Sequence, residues 1–283
     1  MMALDRRVVD ACWAAIEPLI PEVEDLHPLG CHRPRIPDRV CFRQILFRLV
    51  FGCSWADAAC LGPAAATTLR DRRREWVEAG VFEELEVVAR EAYDRVIGLD
   101  LSEVALDGSH AVAPCESEDA GPSPVNRAKQ GYKWSVAVDR FGVPLGAVTD
   151  AANVPDKWLF VPTMNRLVTQ GLIGDIETLH LDRGYDDPDV RYWCEEYFNL
   201  GDVDVPRKNK RGQGRRKIVT LGLRWPVERT NSWMSNFGQL RRNTDRYTCD
   251  RDAQISFAIA LIIIVKLVKH KQWLDKHCNR DTN

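Results

Sequence analysis

Along the first hundred residues, apolar positions recur at a helical period. Val8, Val9, Cys12, Trp13 and Ile16 share one face until Pro18 and Pro21 interrupt them. After a Pro-bounded link, Pro28 to Pro37, a second helix is predicted from about Asp38, an N-cap residue type. It puts Ile45, Leu46, Leu49, Val50 and Cys53 on one face. Past Gly62-Pro63 a third helix turns Leu69, Trp76 and Val77 inward and shows Arg70, Arg72, Arg73 and Arg74 on its other face, and Gly80 ends it. A fourth, Phe82 to Ile97, places Phe82, Leu85, Val88 (or Ala89), Ala92 and Val96 on a stripe. Residues 1–100 therefore read as an all-α N-terminal domain.

From residue 101 the period changes. Glu103 to Leu106 reads as a short strand ending at Asp107, followed by a loop rich in Pro, Ser and Gly from Pro114 to Gly131. Tyr132 to Asp139 alternates as a strand, Arg140-Phe141-Gly142 turns the chain, and Val143 to Thr149 completes an antiparallel hairpin. Trp158 to Thr169 is helical, and Thr178 to Leu181 is a strand that stops at Asp182. Asp187-Pro188, a cap followed by a first-turn Pro, opens a helix reaching Tyr197. Asp202 to Val205 is another short strand. A basic loop follows, and Pro226 then suits the first turn of a helix carrying Glu228. This alternation argues a mixed sheet flanked by helices, spanning 101–270, with a polar tail at 271–283. The apolar run within Ile255 to Val268 is shorter than the roughly 20 residues a bilayer needs and reads as a buried core helix, so no membrane partner is expected.

Composition changes this picture little. A chain of 283 residues that is 45% hydrophobic and 28% charged is ordinary for a globular protein. No charged-then-apolar leader opens it, and its nine cysteines form no C-x-x-C pair, so a reducing cytoplasmic location is expected. The net charge of −2 argues weakly against nucleic-acid binding, but it conceals clustering. Arg207, Lys208, Lys210, Arg211, Arg215, Arg216 and Lys217 form a stretch without an acid just before the Glu228 helix. The Arg70 to Arg74 run is read two ways. It is either a solvated face, or a helix-turn-helix-like element whose arginines, Arg70 and Arg73 among them, meet phosphates.

The candidate chemistry lies in three carboxylates. Asp107 and Asp182 each end a strand and precede or approach a glycine, Gly108 and Gly184, while Glu228 sits in a helix with Arg224 one turn behind and Arg229 beside it. Mg²⁺ takes carboxylate oxygens and leaves positions for water and phosphate. Two such ions about 3.5–4 Å apart can act on both the attacking and the leaving oxygen of a phosphodiester. Taken singly, each Asp is also an ordinary turn residue. A metal-dependent phosphatase is the weaker reading, since Asp107-Gly108-Ser109 lacks a second Asp two positions on.

The segments Leu106-Asp107-Gly108-Ser109-His110, Gly121-Pro122-Ser123-Pro124-Val125, Leu181-Asp182-Arg183-Gly184-Tyr185-Asp186 and Arg224-Trp225-Pro226-Val227-Glu228-Arg229-Thr230, with Trp233 and Arg241-Arg242, closely resemble DDE transposases of bacterial insertion sequences, the insertion-sequence-five group. Toward the front, Gly52-Cys53-Ser54-Trp55, Gly62-Pro63, Thr67-Thr68, Trp76 and Ala79-Gly80-Val81-Phe82 resemble that group's helical domain. The resemblance implies an α/β ribonuclease H-like catalytic domain after an all-α one, and two Mg²⁺ (or Mn²⁺) ions held by Asp107, Asp182 and Glu228. It also implies cutting of the element's terminal inverted repeats and joining to target DNA. A DNA-phosphate contact by Arg224 is implied as well, as is a homo-oligomer, at least a dimer on DNA, and the nearby Arg229 is a further candidate DNA contact. The group's Tyr–Arg–Glu–Lys signature is incomplete here: its Tyr position falls at Leu221 and its Lys position at Ser235, which leaves Arg241 and Arg242 as candidate DNA contacts. A domesticated relative that binds DNA ends without cutting is the alternative.

Overall fold

The computed structural model describes residues 2–23, 34–115, 117–206 and 224–278. Among them the long strand β1, Glu103–Val112, is the axis of a mixed sheet. On one side it pairs in parallel with β5 (Thr178–Leu181), which pairs in parallel with β6 (Asp202–Asp204). On the other side it runs antiparallel to β3 (Gln130–Val138), and β3 is flanked by β4 (Pro144–Ala151) and the two-residue β2 (Gly121–Pro122).

Side-chain alternation gives each face its own cover. Val104, Leu106, Ala137, Leu179 and Leu181 pack with Phe160, Met164 and Leu167 of α6 (Asp156–Thr169) and with Val190 of α7 (Pro188–Tyr192). The opposite face receives α8 (Trp225–Ser235), which buries Val227, Thr230, Asn231 and Met234. The sheet and these helices form one unit, Gly98–Ser235.

One strand boundary differs from the sequence expectation. β1 does not stop at Asp107 but continues to Val112, because β3 goes on pairing with it as far as Gly131. What ends there is the parallel partner: Leu181 is the last residue of β5 and lies opposite Leu106. Asp107 is thus the first residue of β1 beyond the edge of β5.

The second unit is helical and discontinuous, Met1–Ile97 with Asn236–Asn283. It contains α1 (Arg6–Ile16), α2 (Asp38–Phe51), the short α3 (Trp55–Ala59), α4 (Ala66–Glu78), α5 (Val81–Val96), α9 (Gly238–Arg241) and α10 (Thr248–Cys278). The expected division at 270 differs from this grouping. Phe257 of α10 packs on Phe42 and Phe82, with ring centroids 6.1 and 5.0 Å apart, so the C-terminal helix completes the core of the N-terminal helices. By length and hydropathy α10 could cross a bilayer, yet Ala258, Ile259, Ala260, Leu261 and Ile263 are fully buried inside this unit. Residues 271–278, expected as tail, are its last turns. Gly52, in the left-handed region at φ +67°, ends α2 against α9, where a Cβ would lie 2.7 Å from the Gly238 backbone. Only glycine permits both the φ and the approach.

The arginine run of α4 also departs from expectation. Arg70 and Arg74 are exposed, but Arg72 and Arg73 are buried. Arg72 pairs with Asp38 and donates to the Ile36 carbonyl at 3.1 Å. Arg73 grips Asp245 through two bonds of 3.1 and 2.9 Å, and Arg48 reaches the same carboxylate at 3.2 Å. A guanidinium removed from water needs an internal partner, so Arg73 is a core cation here and not a surface phosphate contact.

Candidate active site

Asp107 enters from β1 on the α8 side of the sheet. Its Oδ1 accepts the Gly108 N–H at 2.8 Å, and its Oδ2 faces Arg224. Asp182 follows β5 and caps a single 3-10 turn, Arg183–Tyr185, accepting the Arg183 N–H at 2.5 Å. Glu228 stands in the first turn of α8 with its side chain exposed. Three elements distant in sequence thus bring their carboxylates to one place, and Arg224 joins them. Its guanidinium lies 3.2 Å from Asp182, 3.6 Å from Glu228 and 3.8 Å from Asp107.

Burial dominates the electrostatics of Asp107. It pushes the carboxyl up to about 6; Arg224 and the Gly108 N–H oppose it, while Asp182 and Asp156 add to it. Among the described residues, no three His, Cys, Asp or Glu side chains already stand as an ion cage, and the Arg224 guanidinium bridges the carboxylates. The donor set nevertheless suits a hard divalent cation: three carboxylates on rigid elements, without sulfur.

Two further residues, passed over at the sequence level, complete the surroundings. Asp156 opens α6, and its two carboxylate oxygens lie 3.2 and 3.4 Å from where a Cβ would sit on Gly108 and Gly184. A side chain at Gly108 would press on it, and one at Gly184 would just touch it. The buried ammonium of Lys133 on β3 holds Asp156 at 2.6 Å. Asp156 therefore lies against the backbone just beyond both candidate aspartates, the strand at Gly108 and the turn at Gly184. The signal in the sequence was slight, because an acid after Pro155 reads as an ordinary first-turn helix residue.

The other expected DNA contacts fare differently. Arg229 is sandwiched between Trp225 and Trp233, 4.4 and 4.7 Å from their ring centroids, and donates to the Phe141 carbonyl at 2.6 Å. It braces α8 against the β3–β4 turn and is half-buried there. Arg241 and Arg242 are exposed. The basic stretch Arg207, Lys208, Lys210, Arg211, Arg215, Arg216 and Lys217, and also Leu221, lie outside the described residues.

Comparison with known proteins bears on the same segments. The family profile described as "Transposase DDE domain" matches residues 98–265, and that of "Putative transposase of IS4/5 family" matches residues 8–86. The "Putative transposase for insertion sequence element IS402" of Burkholderia cepacia is 31% identical over 147 residues, 50% of this chain and 67% of that protein. The "Insertion element IS402 uncharacterized 16.2 kDa protein" of the same organism is 29% identical over 116 residues, 41% of this chain and 79% of that protein.

Proposed function

The chain belongs to the DDE transposases of the IS4/5 family, and from that premise we propose that it cuts the ends of its insertion sequence and joins them to target DNA. One observation carries the reading: Asp107, Asp182 and Glu228, from two strands and a helix, all reach the Arg224 guanidinium within 3.8 Å. The strand order, an antiparallel β4-β3-β1 followed by parallel β5 and β6, supports the finer reading of the sheet as ribonuclease H-like.

Asp107, Asp182 and Glu228 would hold Mg²⁺ or Mn²⁺, which when bound supplies Lewis-acid polarisation of phosphate oxygens. The backbone N–H bonds of Gly108 and Arg183 orient the two aspartates, and Glu228 closes the set from α8. In the first step water replaces the bond between phosphorus and the terminal 3′-oxygen, and a 3′-hydroxyl leaves. In the second that hydroxyl attacks a target phosphate and one target oxygen departs, so one P–O bond forms for each that breaks. Arg224 and the exposed Arg70, Arg241 and Arg242 are candidate phosphate contacts, together with the basic stretch from Arg207 to Lys217. Holding two element ends at once argues for at least a dimer on DNA, acting where the bacterial chromosome lies.

Asp107→Ala, Asp182→Ala and Glu228→Ala should each abolish Mn²⁺-dependent nicking of duplexes carrying the element's termini while gel-shift binding persists. Cutting retained in any one of them removes that residue from the site. Full binding by a wild-type chain that never cuts would instead favour an end-binding protein without cleavage activity.

A further inference from the structure

Arg224 occupies the point on which three carboxylates converge. One terminal nitrogen lies 3.2 Å from Asp182, and the other lies 3.8 Å from Asp107 and 3.6 Å from Glu228. The side chain is only 16% exposed, and among the described residues its buried Nε has no hydrogen-bond partner. Three acids gathered this closely repel one another unless a cation lies among them. Here that cation belongs to the chain itself. The neighbouring ammonium, Lys133, is committed to Asp156 at 2.6 Å and cannot take its place.

At 3.2–3.8 Å the Arg224 contacts are charge contacts, longer than the roughly 2.7–2.9 Å of an arginine–carboxylate hydrogen bond. A divalent ion that draws the same oxygens to about 2.0–2.1 Å takes over the neutralisation of their charge, and its own charge repels the guanidinium. We propose that Arg224 is an internal stand-in cation: it keeps Asp107, Asp182 and Glu228 together without metal and gives way when metal enters. This inference rests on reading the three acids as metal ligands. It turns Arg224 from a passive neighbour of Glu228 into a competitor of the ion. Whatever draws the guanidinium away, such as a phosphate of the bound DNA, then tightens the metal site, and because binding free energies are reciprocal the metal tightens phosphate binding by the same factor.

Mn²⁺ titration of the full chain, followed by electron paramagnetic resonance of the free ion, tests this. Arg224→Gln, which keeps much of the bulk and removes the charge, should bind Mn²⁺ at least tenfold more tightly than wild type, and Arg224→Lys should stay near wild type. Without metal, Arg224→Gln should melt below wild type, and the gap should close as Mn²⁺ is added. Unchanged or weaker Mn²⁺ binding by Arg224→Gln overturns the proposal. In the Asp107→Asn, Asp182→Asn double variant, Mn²⁺ binding should vanish; if it persists there, the reading of the metal ligands fails instead. A measurement on unmutated protein covers the case in which Arg224→Gln does not fold. Phenylglyoxal labelling read by mass spectrometry should find Arg224 protected in chelator and reactive once Mn²⁺ is present, and protection unchanged by Mn²⁺ overturns the proposal.

Discussion

The buried indole N–H of Trp134 donates to the side-chain oxygen of Asn231 at 2.8 Å. Trp134 belongs to β3, and Asn231 lies on α8 nearly one turn beyond Glu228, so this bond sets where the glutamate-bearing helix rests on the sheet. Asn231→Ala leaves the indole donor buried and unpaired, at a cost of roughly 1–3 kcal/mol. The urea midpoint should fall while the slope stays unchanged. Adding Trp134→Phe should recover part of the loss, because no donor then remains unpaired.

Asp107 makes the metal-free protein sensitive to pH. Its folded-state pKa, about 6, lies above the ordinary 3.8, so burial favours the protonated form. The stability this proton confers is complete below the ordinary value and is lost as pH rises through about 6. Between those values wild type should fall behind Asp107→Asn by up to roughly 3 kcal/mol. Chemical denaturation of the two proteins in chelator across that window checks the sign: the difference must grow in favour of the Asn variant with rising pH. Metal affinity of wild type should rise over the same interval, since the ligand must first lose its proton.

Asp156→Ala strands the buried Lys133 ammonium. The expected loss is roughly 2–3 kcal/mol, less than for a fully enclosed pair because Asp156 keeps access to water. Lys133→Met combined with Asp156→Ala should regain most of the melting temperature. Gly108→Ala should show the other side of the same contact, lowering Mn²⁺ affinity through the displaced Asp156 carboxylate.

Arg70 and Arg73 should separate cleanly. Arg73→Ala removes one partner of a buried Asp245 that still holds Arg48, and about 2–4 kcal/mol of stability should go with it. Arg70→Ala, at an exposed site, should stay within about 0.5 kcal/mol of wild type. If Arg70 touches phosphate, its loss should flatten the salt dependence of DNA binding by nearly one unit in log–log slope. A flat response would assign α4 to packing alone.

Much of the candidate site was legible because its residues stand in ordered motifs. Asp107, Asp182 and Glu228 could be named before their geometry was known, and the change from a helical to an alternating period marked where the sheet begins. Arg72 and Arg73 were misread although the spacing held the answer, since they fall on the same helical stripe as Leu69 and Trp76. Their charge argued for solvent, and the partners that make burial tolerable, Asp38 and Asp245, lie too far along the chain to be paired by pattern. Asp156 escaped for the same reason: its significance lies in two glycines on other elements. Helix α10 announced that it was buried by being apolar on most sides, but periodicity does not say against which neighbours.

The discontinuity of the helical unit also bears on how the chain is made. Phe42 and Phe82 emerge early, whereas Phe257, whose ring packs against both, follows the entire sheet unit. At roughly 5–20 residues per second, synthesis from Ile97 to Ile264 takes on the order of ten seconds, and through that interval the first helices lack their central apolar partner. The sheet unit can close while the nascent chain is still tethered to the ribosome. The helices that lead the chain are the last to finish their core.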